Sequence, residues 1–146
     1  MQELFKKILL SISGSDESIT AAEFAVKCAA MHDSQIIALH VVDTSVVRQL
    51  ARFSGKSPGE VEVELEENGW RYLFHAEEMA KDNKVRIIVL LEQGLPHEVI
   101  LDKVKELGVD LIILGLPRGR GTYGRSLDRS LQHVLESASC PVLVVK

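Results

Sequence analysis

Residues 110–130 read DLIILGLPRGRGTYGRSLDRS, and most of the chain's capacity for recognition chemistry lies there. The apolar run from Leu111 to Leu114 reaches Gly115, an arginine- and glycine-rich loop follows, and a helix-like pattern then runs on to CPVLVVK. A strand, a glycine-bearing loop and a helix start are how α/β proteins build a phosphate cradle, because loop and helix N–H groups converge there. Here Arg118, Arg120, Arg125 and Arg129 crowd the loop with one acid, Asp128, a local charge of +3 in a chain of net charge −4. Arginines hold phosphate by paired hydrogen bonds, so one reading is a side-chain clamp for an anion. The other is a set of solvated loop charges, or charges that pair with acids of a partner subunit.

No other constellation competes with this loop. The five histidines, His32, His40, His75, His97 and His133, show no metal-ligand spacing. His97 beside Glu98 falls near the mouth of a site but reads as a surface residue. The stretch SGSDES at 13–18 reads as a turn with a helix cap. No G-x-S-x-G, H-E-x-x-H or paired catalytic carboxylates are present, so no enzyme activity is expected. Cys28 and Cys140 have no metal spacing and read as buried thiols of a reducing, cytoplasmic protein. The acidic balance argues against nucleic acid as a partner, even with RGRGTYGR in the loop. No apolar stretch approaches the roughly 18 residues of a membrane span, so no membrane partner is expected.

The elements that must position the loop follow from periodicity. Residues 7–13 form an apolar run that ends in a Ser-Gly-Ser turn. Ser15 caps a helix there, with Asp16 and Glu17 in its first turn and Ile19, Ala22, Val26 and Ala29 on its apolar face. A second strand covers 35–42 and closes at Asp43; the polar region 44–59 has room for a short helix around 46–53 and reads as mobile. A helix over 60–83 carries Trp70, Leu73, Ala76 and Ala80 on one face, with Trp70 and its aromatic neighbours in the core. Gly69 weakens that helix by about 1 kcal/mol relative to alanine. A third strand spans 85–91, and a helix begins at Gly94 and Pro96, turns Ile100, Val104 and Leu107 inward and stops at Gly108. A fourth strand spans 110–115; Leu127, Leu131, Val134 and Ala138 form the last helical stripe, and Val142–Val145 is the last strand.

This alternation, with strands that are continuous apolar runs, predicts an α/β fold: one domain over residues 1–146, an open parallel sheet with helices on both faces. At this length a domain buries roughly 70% of its unfolded surface without a metal or disulfide. The initial methionine and the terminal strand favour a whole protein over a module cut from a larger one. In such sheets ligands bind beyond the carboxyl ends of the strands, here 11–15, 41–43, 91–94 and 115–129.

Five segments in this order resemble the universal stress protein family: KKILLSISGSDES, LHVVD at 39–43, GLPHEVI at 94–100, DLIILG at 110–115 and SCPVLVVK. The resemblance implies a five-stranded Rossmann-like sheet in order 3-2-1-4-5, a homodimer and a role in stress response. ATP-binding members carry G-x-x-G, nine residues, then G-[ST]. Gly115 matches the first glycine; an ungapped match puts Arg118 at the second, Asp128 at the third and Arg129 at the Ser/Thr. The family's aspartate at the end of the first strand falls on Ser13, and Val41 holds an adenine-contact position. By family position the ligand-binding residues are then Ser13, Val41, Gly115, Arg118, Arg129 and Ser130. Arginine adds bulk where backbone must approach phosphate, and Asp128 adds a like charge. The expectation is a homodimeric regulatory module without a cofactor, one that does not bind ATP strongly; the alternative is an arginine-modified pocket for ATP with Mg or another phosphate ligand. In the implied order, Val142–Val145 is an apolar edge strand, which suits an antiparallel two-fold join to a second copy. A protein partner for that module is the further expectation.

Overall fold

The computed structural model describes residues 4–116 and 122–146, and of 122–128 the backbone alone. The elements are β1 (Lys7–Ser11), α1 (Asp16–His32), β2 (Gln35–Asp43), α2 (Thr44–Ser54), α3 (Pro58–Asp82), β3 (Ile87–Gly94), α4 (Pro96–Leu107), β4 (Leu111–Gly115), α5 (Thr122–Ser137) and β5 (Val142–Val145). The strands form one sheet in order β3-β2-β1-β4-β5 with every pairing parallel, the order the family resemblance implies.

Strand side chains alternate, so the sheet feeds two cores. Ile8, Leu10, Ile36, Ala38 and Ile113 pack on one face against the alanine-rich side of α1 and against Leu73, Ala76 and Ala80 of α3. Leu9, Ile37, Leu39, Ile112 and Leu114 pack on the other face against Ile100 and Val104 of α4 and Val134 of α5. Both faces of the central strands are therefore dry, which explains their uninterrupted apolar sequence.

Local signals set the helix ends. Ser15 caps α1, accepting the Ser18 N–H, and Asp16 and Glu17 lie in the first turn. Ser57 caps α3 just before Pro58, and Gly108 closes α4 at φ 66°, a conformation glycine reaches without strain.

Several expectations need correction. β1 stops at Ser11 because the Ser13 N–H turns away to the Ser18 hydroxyl. Ile19 is not on the inner face of α1; it is 39% exposed, while Ser18, Ala21, Ala22, Ala25, Val26 and Ala29 are buried. The short helix expected after β2 is longer than 46–53: α2 is capped by Asp43, with Val47 packed on Val42 and Val61. β3 begins two residues later than expected because Val85 closes the end of α3, its N–H donating to the Ala80 carbonyl at 2.9 Å. Trp70 is not core: it is 38% exposed and stacks on Phe74, itself 55% exposed. The inward row of α3 is Gly69, Leu73, Ala76 and Ala80, and Trp70 is turned about 100° from Gly69. Cys28 and Cys140 are half-buried rather than buried, and burial pushes both thiols up from their ordinary value.

Candidate functional site at the strand carboxyl ends

Beyond the carboxyl ends of β1, β2 and β4 lies a cavity of about 360 Å³. Its floor is apolar, made by Val41, Leu114, Ile100 of α4 and Leu131 and Val134 of α5, with Val46 of α2 at its side. Its polar groups come from the β1–α1 turn and the first turn of α1: Ser13, Ser15, Glu17 and Ser18. Asp43 and Ser130 add a carboxylate and a hydroxyl, and His40 also lines the space. Among the described lining residues the charged carboxylates are Glu17 and Asp43, and neither lysine nor arginine is present.

In the β1–α1 turn, three backbone donors are engaged by serine hydroxyls. The Ser13 N–H donates to Ser18 Oγ at 2.7 Å, the Ser15 N–H to Ser13 Oγ at 3.4 Å and the Ser18 N–H to Ser15 Oγ at 3.2 Å. The Ser13 and Ser15 hydroxyls lie 3.1 Å apart. The three serines thus form a relay that closes the turn on itself.

Gly115 has an equally local explanation. A Cβ there would lie 2.6 Å from the carbonyl carbon and oxygen of Glu17 and 2.8 Å from the Ser18 nitrogen. The first turn of α1 sits directly on the end of β4, so the missing side chain is filled by protein backbone.

A second layer holds the turn from behind. His40 Nδ1 lies 2.8 Å from the Ile12 carbonyl; a carbonyl only accepts, so Nδ1 carries the proton. Burial holds this imidazole below its ordinary value, the carbonyl contact opposing that shift. Tyr72 meets the ring edge-on at 5.6 Å, and its hydroxyl fills the space a Cβ on Gly14 would need. His40 therefore ties β2 to the chain just before the serine relay, and Tyr72 of α3 supports the relay's glycine.

Of the residues expected at the site, Ser13, Val41, Gly115 and Ser130 line one cavity. Arg129 does not: it is exposed and outside the lining. Arg118 lies outside the described residues. His97 stacks on His133 with ring centroids 4.5 Å apart, joining α4 to α5. Sequence reasoning missed Ser18 and His40. A serine on the inner face of a helix and a histidine inside the apolar run IIALHVV were the available signals. No group of three or more His, Cys, Asp or Glu among the described residues is placed to hold a metal, and none of their helices is long and apolar enough to cross a membrane.

A doubly covered parallel sheet in this order, with a cavity at its switch point, defines a Rossmann-like α/β class. Within it, the sequence model of the universal stress protein family matches residues 4–146. Universal stress protein MJ0531 of Methanocaldococcus jannaschii is 33% identical over 146 residues, covering 99% of this chain and 84% of its own. The chain belongs to the universal stress protein family. Among solved structures, UspA of Lactobacillus plantarum superposes with a TM-score of 0.82 at 20% identity, covering 99% of this chain and 100% of that one. A universal stress protein in complex with cAMP superposes at 0.71, with 20% identity and 97% of each chain covered.

Proposed function

We propose that this protein is a non-enzymatic regulatory module of the cytoplasm, which binds a small ligand of low negative charge and does not bind ATP strongly. The serine relay carries this reading: three N–H groups at the polar side of the cavity donate to Ser13, Ser15 and Ser18 and are not free for an anion. A triphosphate would also approach the Asp43 carboxylate in the lining. The apolar floor around Val41 and Leu114 suits a flat organic body, and the cAMP complex of a relative of the same fold indicates a nucleoside-type ligand with at most one phosphate charge. Ser13, Val41, Gly115 and Ser130 are the proposed contacts. The unpaired Cys28 and Cys140 suit a reducing compartment.

The module works as a homodimer joined through β5, an apolar strand that pairs only with β4 and lies at a sheet edge. Isothermal calorimetry of desalted protein at low salt tests the ligand reading. Cyclic AMP or adenosine should bind more tightly than Mg-ATP. Micromolar binding of Mg-ATP, tighter than either, would overturn it.

A further inference from the structure

We propose that the opposite edge of the sheet, β3, is a second self-association surface, where two copies join antiparallel about a two-fold axis through Val89. This inference is independent of the β5 join. β3 is the longer of the two edge strands, eight residues against four, and Ile87–Leu91 at its start is uninterrupted apolar sequence without proline. Such an edge is a template for another strand.

Hydrogen-bond parity restricts how a copy can dock. The Ile36 N–H donates to the Arg86 carbonyl at 2.9 Å, and Ile36 pairs with Ile87 in the parallel register. The alternation of a parallel ladder then turns the N–H and C=O groups of Ile88, Leu90 and Glu92 toward β2. Those of Ile87, Val89, Leu91 and Gln93 face outward. In an antiparallel join, outward residues must oppose outward residues. The two-fold registers that satisfy this are centred on 88, 89, 90 or 91.

Charge selects among them. With the axis at Val89, Ile87 opposes the partner copy's Leu91, and Arg86 opposes Glu92 at both ends of the join. With the axis at residue 90 or 91, Glu92 faces an apolar residue, Ile88 or Leu90. With the axis at 88, it faces Lys84, which lies outside the strand in a left-handed turn at φ 58°. Arg86 precedes β3 by one residue but is held in the ladder, its carbonyl accepting the Ile36 N–H, so only the Val89 register sets Glu92 against a ladder-held cation, and symmetry gives two such pairs.

The layers above the sheet fit the same join. α3 packs across both β2 and β3. Two such helices, each lying over its own β2–β3 pair, would run about two strand spacings apart across the join, about 10 Å, which is helix packing distance. Glu66 of α3 accepts a hydrogen bond from Gln93, so this flank of the helix borders the edge. Trp70, one turn after Glu66, stacks on Phe74, and the two are partly exposed there. On the opposite face Ile88 is 41% exposed at the same edge. A second copy at β3 would shield apolar surface on both faces at once.

The test is sedimentation velocity over a wide concentration range, in a Val144→Pro background. The Val144 N–H faces outward at the β5 edge, so proline there blocks the β5 join and leaves the β4 ladder intact. We expect a concentration-dependent dimer in this background. Arg86→Glu or Glu92→Arg alone should weaken it about tenfold, and the double swap should restore it. Arg86 also donates to the Asp33 carbonyl, and Glu92 pairs with Lys103 at 3.3 Å. Loss of those contacts alone would not be rescued by the swap. As a readout that needs no variant, hydrogen exchange at Ile87, Val89 and Leu91 should slow with concentration in the wild type, and Trp70 emission should shift to the blue. A monomer at every concentration, a dimer indifferent to both reversals, or single losses the swap does not restore would each overturn the proposal.

Discussion

Gly69→Ala should destabilise the protein, against the direction helix propensity alone gives. Replacing a glycine inside a helix by alanine ordinarily gains about 1 kcal/mol. At Gly69 the new methyl would lie 2.9 Å from Leu91 Cδ1 and 3.1 Å from His40 Nε2, and closer still to His40 Cδ2. The ring cannot rotate away freely, because its Nδ1–H is committed to the Ile12 carbonyl at 2.8 Å and Tyr72 sits against its other side. Overpacking of this kind costs about 1–3 kcal/mol, and a pinned neighbour places Gly69 at the upper end. The net loss is about 1–2 kcal/mol, equivalent to about 2–8 °C in Tm for a domain of this size. Urea unfolding is the assay, with a constant m value confirming that the native state is the one perturbed. Gly59→Ala on the same helix is the control, since its methyl meets nothing nearer than the Ser57 hydroxyl at 3.9 Å, and it should leave stability unchanged or raise it. Stability of Gly69→Ala equal to or above the wild type would refute the reasoning.

Gly115→Ala should cost about 2–3 kcal/mol, because its methyl meets backbone of α1 that has no rotamer to change; a loss under about 0.5 kcal/mol in urea unfolding would remove the packing explanation. Ser15→Ala removes the α1 cap and should cost about 1 kcal/mol, read the same way. His40 is held below its ordinary value of 6.5, so below that pH the unfolded chain binds the extra proton and stability falls with acid, recovering fully above it. His40→Asn keeps an N–H for the Ile12 carbonyl and should flatten that part of the pH profile; parallel profiles would show that another group titrates. In an Arg86→Glu background, which weakens the β3 join, and at low protein concentration, Val144→Pro should shift the β5-joined dimer toward monomer in light scattering without loss of helical circular dichroism, and an unchanged mass there would place that join elsewhere.

The strands and the sheet order were legible because burial on both faces leaves an unbroken apolar signature, and five segments in family order left one topology. Helix faces were less legible. Small residues such as Ala21, Ala25 and Gly69 mark close approach in α1 and α3, whereas the periodicity of large residues pointed to Ile19 and Trp70, which are partly exposed. The short helix expected around 46–53 is α2, and the Asp43 cap and the Val42–Val47–Val61 contact extend it to Thr44–Ser54. In the site, the motif marked Gly115 and, by position, Ser13 and Ser130. It had no means to show that serine hydroxyls 13, 15 and 18 close on one another's N–H groups, since that depends on where the turn places them.

Gly115 shows why a surviving motif glycine is weak grounds for a surviving ligand. Two different demands fall on that position. A phosphate cradle needs backbone close to an anion, and the β4–α1 contact needs a residue without a side chain. The second holds in this protein whatever the pocket contains, because α1 rests on the sheet through its first turn. Packing by itself therefore accounts for glycine at this position, and by family resemblance Arg118 and Asp128 stand where the motif's two later glycines would be. Ser13 also serves the turn: its hydroxyl accepts the Ser15 N–H at 3.4 Å and lies 3.1 Å from the Ser15 hydroxyl. Gly115 and Ser13 thus both serve the protein's own turn, and that service holds whatever the pocket takes.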